Sequence, residues 1–304
     1  MPVITTGSHP KLLWPGVHAT WGQVYEGYEK EHEDLYEMLD SEMAYEQDVQ
    51  VTGFPLAVVK GQGAPVVFAG ENQGWVTTYN HIAYGLGYAV TKEELDDNQY
   101  EVVAMRRAKA NAFSMAQTVE TVAAFLYNNA FTSSFYAMPD GQALISASHV
   151  NVTGGTSSNI LSPSADLSEV ALEDICIQIM GAQNDNGLII NLMPQSLHVD
   201  RSEFFNANRI LKSVLQSGTT SNNINVLRAV NAFPKGIKLN HFFNTAGNWF
   251  VRTNCPNGMQ FFWRTRPEFD QDNDFPTKNA LAASYMRFSV GATDFRGIYG
   301  SPHA

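Results

Sequence analysis

The stretch that decides the fold reads VVAMRRAKANAFSMAQTVETVAAFLYNNA, residues 102–130, within a longer segment, residues 88–138, that lacks glycine and proline. Those two residues are the strongest helix breakers, so their absence favours one long helix. Apolar side chains recur in it at intervals of three and four residues and are interrupted only by Lys109. This spacing predicts a helix with one continuous apolar face.

The predicted helix is far longer than the average of about 12 residues. With Asp96 or Asp97 as its N-cap, it would end near Phe131 and extend for roughly 50 Å. Its apolar face is rich in alanine, which lets a sheet approach closely, whereas a self-sufficient bundle would need larger side chains there. The sequence therefore predicts a spine helix that crosses a sheet. The face consists of Val102, Met105, Ala112, Ala116, Val119, Ala123, Leu126 and Ala130.

The region before the helix, residues 51–84, is predicted to form an extended hairpin. Two apolar, β-rich arms, residues 53–60 and 64–68, flank a turn that contains Gly61 and Gly63. An isolated two-stranded ribbon is only marginally stable in water. The edges of this one carry few charges that would prevent pairing with another strand. The hairpin is therefore expected either to pack on its own domain or to lie on a neighbouring subunit. Its candidate interface residues are Phe54, Leu56, Val58, Lys60, Val66 and Phe68.

Composition indicates a large protein with an unusually neutral surface. The chain has 304 residues, enough for a large core or two subdomains. Charged residues make up 16%, below the roughly 25% of ordinary soluble domains. A surface this poor in charge is expected where subunits cover one another.

The net charge of −11 is concentrated in residues 26–48, where ten acidic residues stand against Lys30 and contribute −9. Apolar residues interleaved at helical spacing predict an amphipathic helix with an acidic outer face. That face is expected either to be solvated or to dock onto a basic patch of another subunit. Its acidity would repel duplex DNA. The candidate residues of this acidic arm are Glu29, Glu33, Asp34 and Glu37.

The remaining segments predict a mixed α+β fold. Residues 1–23 are predicted to be an extended arm. A helix is predicted to begin at Ser168 and stop at Gly181, and another to run from residues 200–202 to Ser217. A strand at residues 188–199 and aromatic-rich strands after residue 226 complete a pattern in which helices and strands are largely segregated.

One set of residues offers a hydrolase as an alternative function. Ser196, His198 and Asp200 alternate along a predicted strand, so they share one face and resemble a nucleophile, a base and an acid. Strand periodicity alone explains this pattern. Triad members normally come from separate segments with an oxyanion hole, and no such loop is recognisable.

The sequence offers little support for a metal site. Asp270, Asp272 and Asp274 match positions 1, 3 and 5 of a calcium loop, but positions 6 and 12, which need glycine and glutamate, hold phenylalanine and leucine. A turn with ion pairs to Arg264 and Arg266 is the better interpretation. The eight histidines show no metal-ligand spacing, so no metal ligand is expected.

Other features also argue against cofactors and membranes. The Gly85-Leu86-Gly87 stretch lacks the third glycine of a dinucleotide fingerprint, so no cofactor is expected. Cys176 and Cys255 form no disulfide framework or zinc pattern. No leader or long apolar run appears, so neither secretion nor a membrane span is expected. A basic cluster at residues 106–109 is expected to pair with carboxylates such as Glu101.

The order of these parts resembles the Hong Kong 97-type major capsid proteins of tailed phages. Within that group, five stretches look like the Mu-type major head subunits. They are residues 84–95 (YGLGYAVTKEEL), 106–115 (RRAKANAFSM), 255–258 (CPNG), 261–264 (FFWR) and 295–301 (FRGIYGS).

The resemblance implies a non-enzymatic major capsid protein that self-assembles into the pentamers and hexamers of an icosahedral shell around double-stranded DNA. A nanocompartment shell of the same fold that encloses protein cargo is a further alternative. The implied parts are an amino-terminal arm at residues 1–50, an extended loop at 51–84, a peripheral domain with the spine helix at 85–165 and 246–280, and an axial domain at 166–245 and 281–304.

The resemblance also implies partners and a location. Because no long charged leader precedes the arm and Met1 is present, a separate scaffolding protein is expected, together with a portal and a possible cement protein. Packaged DNA would be bound without sequence preference, and no membrane partner is expected. The product would be part of the virion, assembled in the host cytoplasm. In the founding phage a loop lysine is cross-linked to an asparagine of another subunit, and Lys60 lies in a suitable hairpin.

Overall fold

The computed structural model describes residues 14–303 except residues 71, 97–99, 217–222, 275 and 278. Its helices are α1 (Trp14–Glu26), α2 (His32–Leu35), α3 (Lys92–Asp96), α4 (Tyr100–Asn128), α5 (Glu169–Met180), α6 (Phe204–Lys212) and α7 (Val226–Ala229). Its strands are β1 (Glu37–Asp40), β2 (Tyr45–Val49), β3 (Val76–Asn80), β4 (Ile82–Val90), β5 (His149–Val150), β6 (Thr156–Ser157), β7 (Pro194–Val199), β8 (Ile237–Leu239), β9 (Trp249–Thr253), β10 (Met259–Asn273), β11 (Ala280–Ala292) and β12 (Ile298–Ser301).

The first sheet has the strand order β1-β10-β11-β4. Its two long central strands, β10 and β11, are antiparallel, and β4 is antiparallel to β11. One face of this sheet carries an aromatic cluster in which Phe288 stacks on Phe261 at 5.0 Å and meets Trp263 edge-on at 5.3 Å. Helices α1 and α4 pack against this face and form one continuous apolar core with it.

Helix α4 is the predicted spine helix, and its alanine-rich face lies in the core. Ala112, Ala123 and Ala130 are fully buried, whereas Lys109 is exposed. The hydroxyl of Tyr36 donates a hydrogen bond to the carbonyl of Ala123 at 2.6 Å, a close approach that a small side chain permits. The prediction of a long helix against a sheet is therefore confirmed.

The ends of α4 differ from the prediction. The helix ends at Asn128 rather than near Phe131, and Asp96 is the last residue of the separate helix α3. The other predicted N-cap, Asp97, lies outside the described residues. Arg107 of the basic cluster pairs with Glu94 of α3 at 2.9 Å, whereas the side chain of the predicted partner Glu101 lies outside the described part of the chain.

The second sheet has the strand order β12-β9-β7-β8 and forms a second core with α5 and α6. Ser168 caps α5 by accepting a hydrogen bond from the Ala171 amide, and Gly181 follows its last turn, as predicted. Helix α6 ends at Lys212, five residues short of the predicted Ser217. The Asn225 amide explains the early end, because it donates to the carbonyl and hydroxyl of Ser213.

Two predictions for the amino-terminal region are wrong. Residues 14–23 are not an extended arm, because they lie in α1, where Trp21 stacks on Phe269 at 5.4 Å and donates to the Asn111 side chain at 2.8 Å. Residues 1–13 lie outside the described part of the chain. The acidic segment is not one amphipathic helix either. After the short α2 it becomes strand β1, which pairs in parallel with β10, and then β2, which pairs with β3.

Strand pairing also changes the predicted division into domains. Residues 280–292 were expected to belong almost entirely to the axial part, but as β11 they occupy the centre of the first sheet. Conversely, residues 249–253, expected in the peripheral part, form β9 of the second sheet. The carboxyl-terminal part of the chain therefore contributes strands to both sheets, with β10 and β11 in the first and β9 and β12 in the second.

Candidate interaction surface

Between β2 and β3 the chain forms an extended loop, defined here as residues 50–75. Its root is closed by a hydrogen bond from the Gln50 amide to the Trp75 carbonyl at 2.9 Å and by one from the Thr52 hydroxyl to the Asn72 carbonyl at 2.6 Å. Between residues 54 and 70, the one backbone–backbone hydrogen bond is the tip turn from Ala64 to Gly61 at 3.1 Å. The predicted two-stranded ribbon is therefore wrong for this region.

Proline explains part of the difference. Pro55 and Pro65 stand in opposite arms, and neither has an amide N–H to donate to a ladder. The real ladder lies at the root, where β2 and β3 pair from Tyr45–Asn80 to Val49–Val76. The loop is thus an extended projection on a short ribbon.

The apolar side chains of the loop are not packed on the described part of their own subunit. Phe68 is 94% exposed and Leu56 is 76% exposed. Single exposed apolar residues are common on soluble proteins, but several in one segment mark an interaction site. Lys60, near the tip, is exposed as well. The other predicted interface residues, Phe54, Val58 and Val66, are also exposed.

The second sheet and the helices packed on it, called here the second-sheet unit, hold the root of the loop through the turn that follows α5. The side-chain amide of Asn186 donates to the carbonyl of Thr52 at 3.1 Å and to that of Gly53 at 2.9 Å. The preceding Asp185 is buried and accepts hydrogen bonds from the Arg296 guanidinium at 2.8 Å and from the Val152 amide at 3.1 Å. A network anchored in the core therefore fixes where the loop leaves the subunit.

Arg296, 2% exposed, is the centre of this network. Burial lowers the pKa of its guanidinium, but Asp294 and Asp185 outweigh that effect, so the pKa is raised. The charge is therefore permanent and fully paired. Sequence reasoning missed Asn186, Asp185 and Arg296, because their partners lie more than a hundred residues away along the chain and the residues match no local motif.

The acidic segment contacts basic side chains of its own subunit. Asp34 pairs with Lys238 at 2.9 Å, and its carbonyl accepts a hydrogen bond from Arg252 at 2.7 Å. Glu31 contacts His241. These contacts hold the segment in position beside the second sheet. Their contribution to the free energy of unfolding is small, because the ion pairs are exposed. The four predicted residues of the acidic arm, Glu29, Glu33, Asp34 and Glu37, are all exposed.

The structure changes the interpretation of the aspartates near residue 270. Arg266, predicted to pair with them, instead pairs with Asp40 at 2.9 Å. Asp274 accepts a hydrogen bond from the Thr277 hydroxyl at 2.5 Å within the turn. Within the described ranges, no group of histidine, cysteine and carboxylate side chains is arranged to hold a metal ion.

Both cysteines are free thiols, and burial, followed by Glu173, raises the pKa of Cys176 to about 11. Among the helices that the structure describes, none combines the length and apolarity needed to cross a bilayer.

Ser196, His198 and Asp200 do not form a catalytic triad. The Ser196 hydroxyl and the His198 ring are 2.8 Å apart and buried, but Asp200 instead accepts hydrogen bonds from the Ser202 and Glu203 amides before α6. The other ring nitrogen, Nδ1, is buried without a hydrogen-bond partner in the described part of the chain. Among the described residues no carboxylate orients the His198 ring, as hydrolysis by a triad requires.

His198 is expected to make the fold sensitive to acid. Burial, then the positive charges of Arg252, Lys238 and Lys235, lowers its pKa well below the usual range. The ring is therefore neutral in the folded protein, whereas the unfolded chain takes up a proton below about pH 6.5. Stability is full above that pH and falls as the pH drops towards the folded pKa.

Thermal unfolding between pH 7 and pH 5 tests this expectation. The melting temperature of the wild type should fall, and a His198→Gln variant should show a smaller fall over the same range. Equal slopes for the two proteins would contradict the assignment of a neutral buried ring. His81, whose pKa burial also lowers, is unchanged in both, so the comparison isolates His198.

The structure of this chain is similar to solved structures of capsids and of a virus-like particle. The capsid of a native GTA particle matches with a TM-score of 0.56 and 12% identity, covering 91% of each chain. The virus-like particle from Pyrococcus furiosus matches with a TM-score of 0.52 and 11% identity, covering 95% of this chain and 99% of that one. The procapsid of bacteriophage JBD30 matches with a TM-score of 0.51 and 12% identity, covering 99% of this chain and 77% of that one.

These similarities establish the Hong Kong 97-type capsid fold. The sequence of residues 75–301 matches the family described as phage capsid protein, and the chain belongs to that family. It is a capsid protein, a structural part of a virion that associates with copies of itself, and not an enzyme. Among curated proteins, none matches the sequence of this chain.

Proposed function

We propose that this chain is the major head protein of a tailed phage of the Mu type. It would form the pentamers and hexamers of an icosahedral shell around double-stranded DNA. Family membership and the capsid fold support the shell, and the five sequence stretches that resemble Mu-type subunits support the finer assignment.

The observation that carries the proposal is the exposed apolar loop. Phe54, Leu56, Val58, Val66 and Phe68 are each more than half exposed in the single subunit. Covering such side chains contributes roughly 1.5 to 3 kcal/mol each when burial is complete. The six interface residues, including Lys60, are therefore proposed to lie on a neighbouring subunit.

A second exposed apolar surface lies on the second-sheet unit, which is the proposed axial domain. This surface supports self-association as well. Around α6 and α7, Phe205 is 75% exposed, and several aliphatic side chains accompany it. Exposed patches of this kind mark interaction sites. The aliphatic residues are Val214, Leu215, Ile224, Val226 and Val230.

The proposed partners follow from assembly. A separate scaffolding protein would guide closure, a portal would occupy one vertex, and a cement protein could cover the shell. The packaged DNA would be held without sequence-specific contacts. Assembly would take place in the host cytoplasm, before the shell becomes part of the virion.

Electron microscopy of the expressed chain tests the proposal, with and without a co-expressed scaffolding protein and with assay of nucleic acid in the purified particles. Closed shells with pentameric and hexameric clusters are expected. Failure to form any regular assembly under both conditions would contradict the proposal. Shells that enclose protein cargo and no nucleic acid would favour a nanocompartment.

A further inference from the structure

The outer side of α6 carries positive charge around an exposed aromatic ring. Its residues recur at intervals of three and four, so they form one row along the helix, opposite its buried side. All of them are exposed, and Phe205 is 75% exposed. Among the described residues, no ion pair involves the three cations of this row. The row, called here the basic face, consists of Arg201, Phe205, Arg209 and Lys212.

The composition of the basic face fits a protein partner better than a nucleic acid. A DNA duplex offers phosphates to the cations, but it presents no apolar surface that would cover the ring of Phe205. Arginine and phenylalanine are enriched together at the centres of protein–protein interfaces. The exposed aliphatic side chains of the neighbouring α7 extend the apolar part of this surface. A partner of the basic face therefore needs carboxylates next to apolar rings.

The acidic segment of this chain has that chemistry at the end of α1. Glu26 and Glu29 are exposed, and no ion pair involves either of them among the described residues. Between them, the half-buried Tyr28 packs on Phe113 of α4 with ring centroids 5.4 Å apart, and Phe113 is 46% exposed. These four residues are called here the acidic–aromatic patch. Docking on a basic patch of another subunit is one of the two roles that the sequence predicts for this segment.

We propose that the basic face of one copy of this chain docks on the acidic–aromatic patch of a second copy. This inference rests on the proposed function and adds a contact to it. In the docked pair, the cations of α6 meet the carboxylates at the end of α1, and Phe205 lies against the two rings between them. Both surfaces are exposed in the single subunit, so each is covered by another copy. Because two different surfaces meet, the contact is heterologous and can be repeated from copy to copy around a ring.

Two opposite charge reversals test the contact. Arg209→Glu and Glu29→Arg should each leave the melting temperature of the subunit nearly unchanged, because both side chains are exposed. Each variant alone should need roughly tenfold more protein to form shells, because like charges then face each other between copies. Arg209→Lys and Glu29→Asp are the matched controls, since they keep the charges, and they should assemble as the wild type does.

Mixing the two reversed variants shows whether the contact lies between copies. An equimolar mixture of Arg209→Glu and Glu29→Arg should recover most of the lost assembly, because each contact between unlike copies then joins opposite charges. The double variant should recover it as well. A contact within one subunit would let the double variant recover but not the mixture. Sedimentation and electron microscopy of the assembly mixtures give the readout.

The outcomes separate this inference from the proposed function. If the wild type forms shells and the mixture does not recover assembly, the inference is overturned and the proposed function stands. Unchanged shells from Arg209→Glu that retain less nucleic acid would assign the basic face to DNA, and this result would also overturn the inference. Absence of shells from the wild type itself would overturn the proposed function and the inference with it.

Discussion

Ala116→Pro in α4 is expected to abolish shell formation and to leave little soluble folded protein. Proline inside a helix removes one backbone hydrogen bond and clashes with the preceding turn, at a cost of about 3 kcal/mol or more. Ala116 is buried near the middle of α4, beside the segment that links α1 to α2, so a kink there would disturb the packing of the helix as well. Such a loss is large against a total stability of about 5–15 kcal/mol.

The measurement is circular dichroism of the purified chain together with particle counts by electron microscopy. Thr121→Ala, on the exposed side of the same helix, is the matched control and should change the free energy of unfolding by less than about 0.5 kcal/mol. Normal particles from Ala116→Pro would show that α4 is not the spine of the fold.

Removing the tip of the extended loop is expected to separate folding from assembly. In this variant, residues 60–65 are deleted and the gap is closed with a two-residue turn. The subunit should keep a near-normal melting temperature, because the arms beside the tip are exposed and the root is anchored by Asn186. Shells should fail to form or form only at high protein concentration, since the lost contacts are between subunits and act by mass action.

Calorimetry of the subunit and sedimentation of the assembly mixture give the two readouts. A Gln62→Ala variant keeps the length of the tip and serves as the control. Unfolding of the deleted subunit would mean that the loop belongs to the core. Unchanged shells would mean that the tip plays no part in association.

The elements that could be predicted from sequence are those fixed by neighbouring residues. Helix α4 follows from an apolar repeat within 29 residues, and α5 follows from Ser168 and Gly181 at its two ends. The exposure of the side chains from Phe54 to Phe68 was only one of two alternatives, because an apolar segment could equally pack on its own domain.

The elements that could not be predicted depend on distant parts of the chain. The acidic segment has helical spacing, but β1 pairs with β10, more than 200 residues later, and that pairing overrides the local preference. The pairing of Arg296 with Asp185 and the hydrogen bonds of Asn186 likewise join remote segments. Gly85 and Gly87 looked like an incomplete nucleotide motif until the structure placed them on an exposed sheet face.

The pairing of β1 with β10 imposes an order in time on the newly made chain. At a synthesis rate of roughly 5–20 residues per second, the ribosome needs roughly 10 to 40 s after Asp40 to reach the start of β10. During that interval the alanine-rich face of α4 has no β10 and β11 to cover it. The first sheet, and with it the surface formed by β4 and β11, is complete only when nearly the whole chain has emerged. A nascent subunit therefore lacks this surface until β11 has been synthesised.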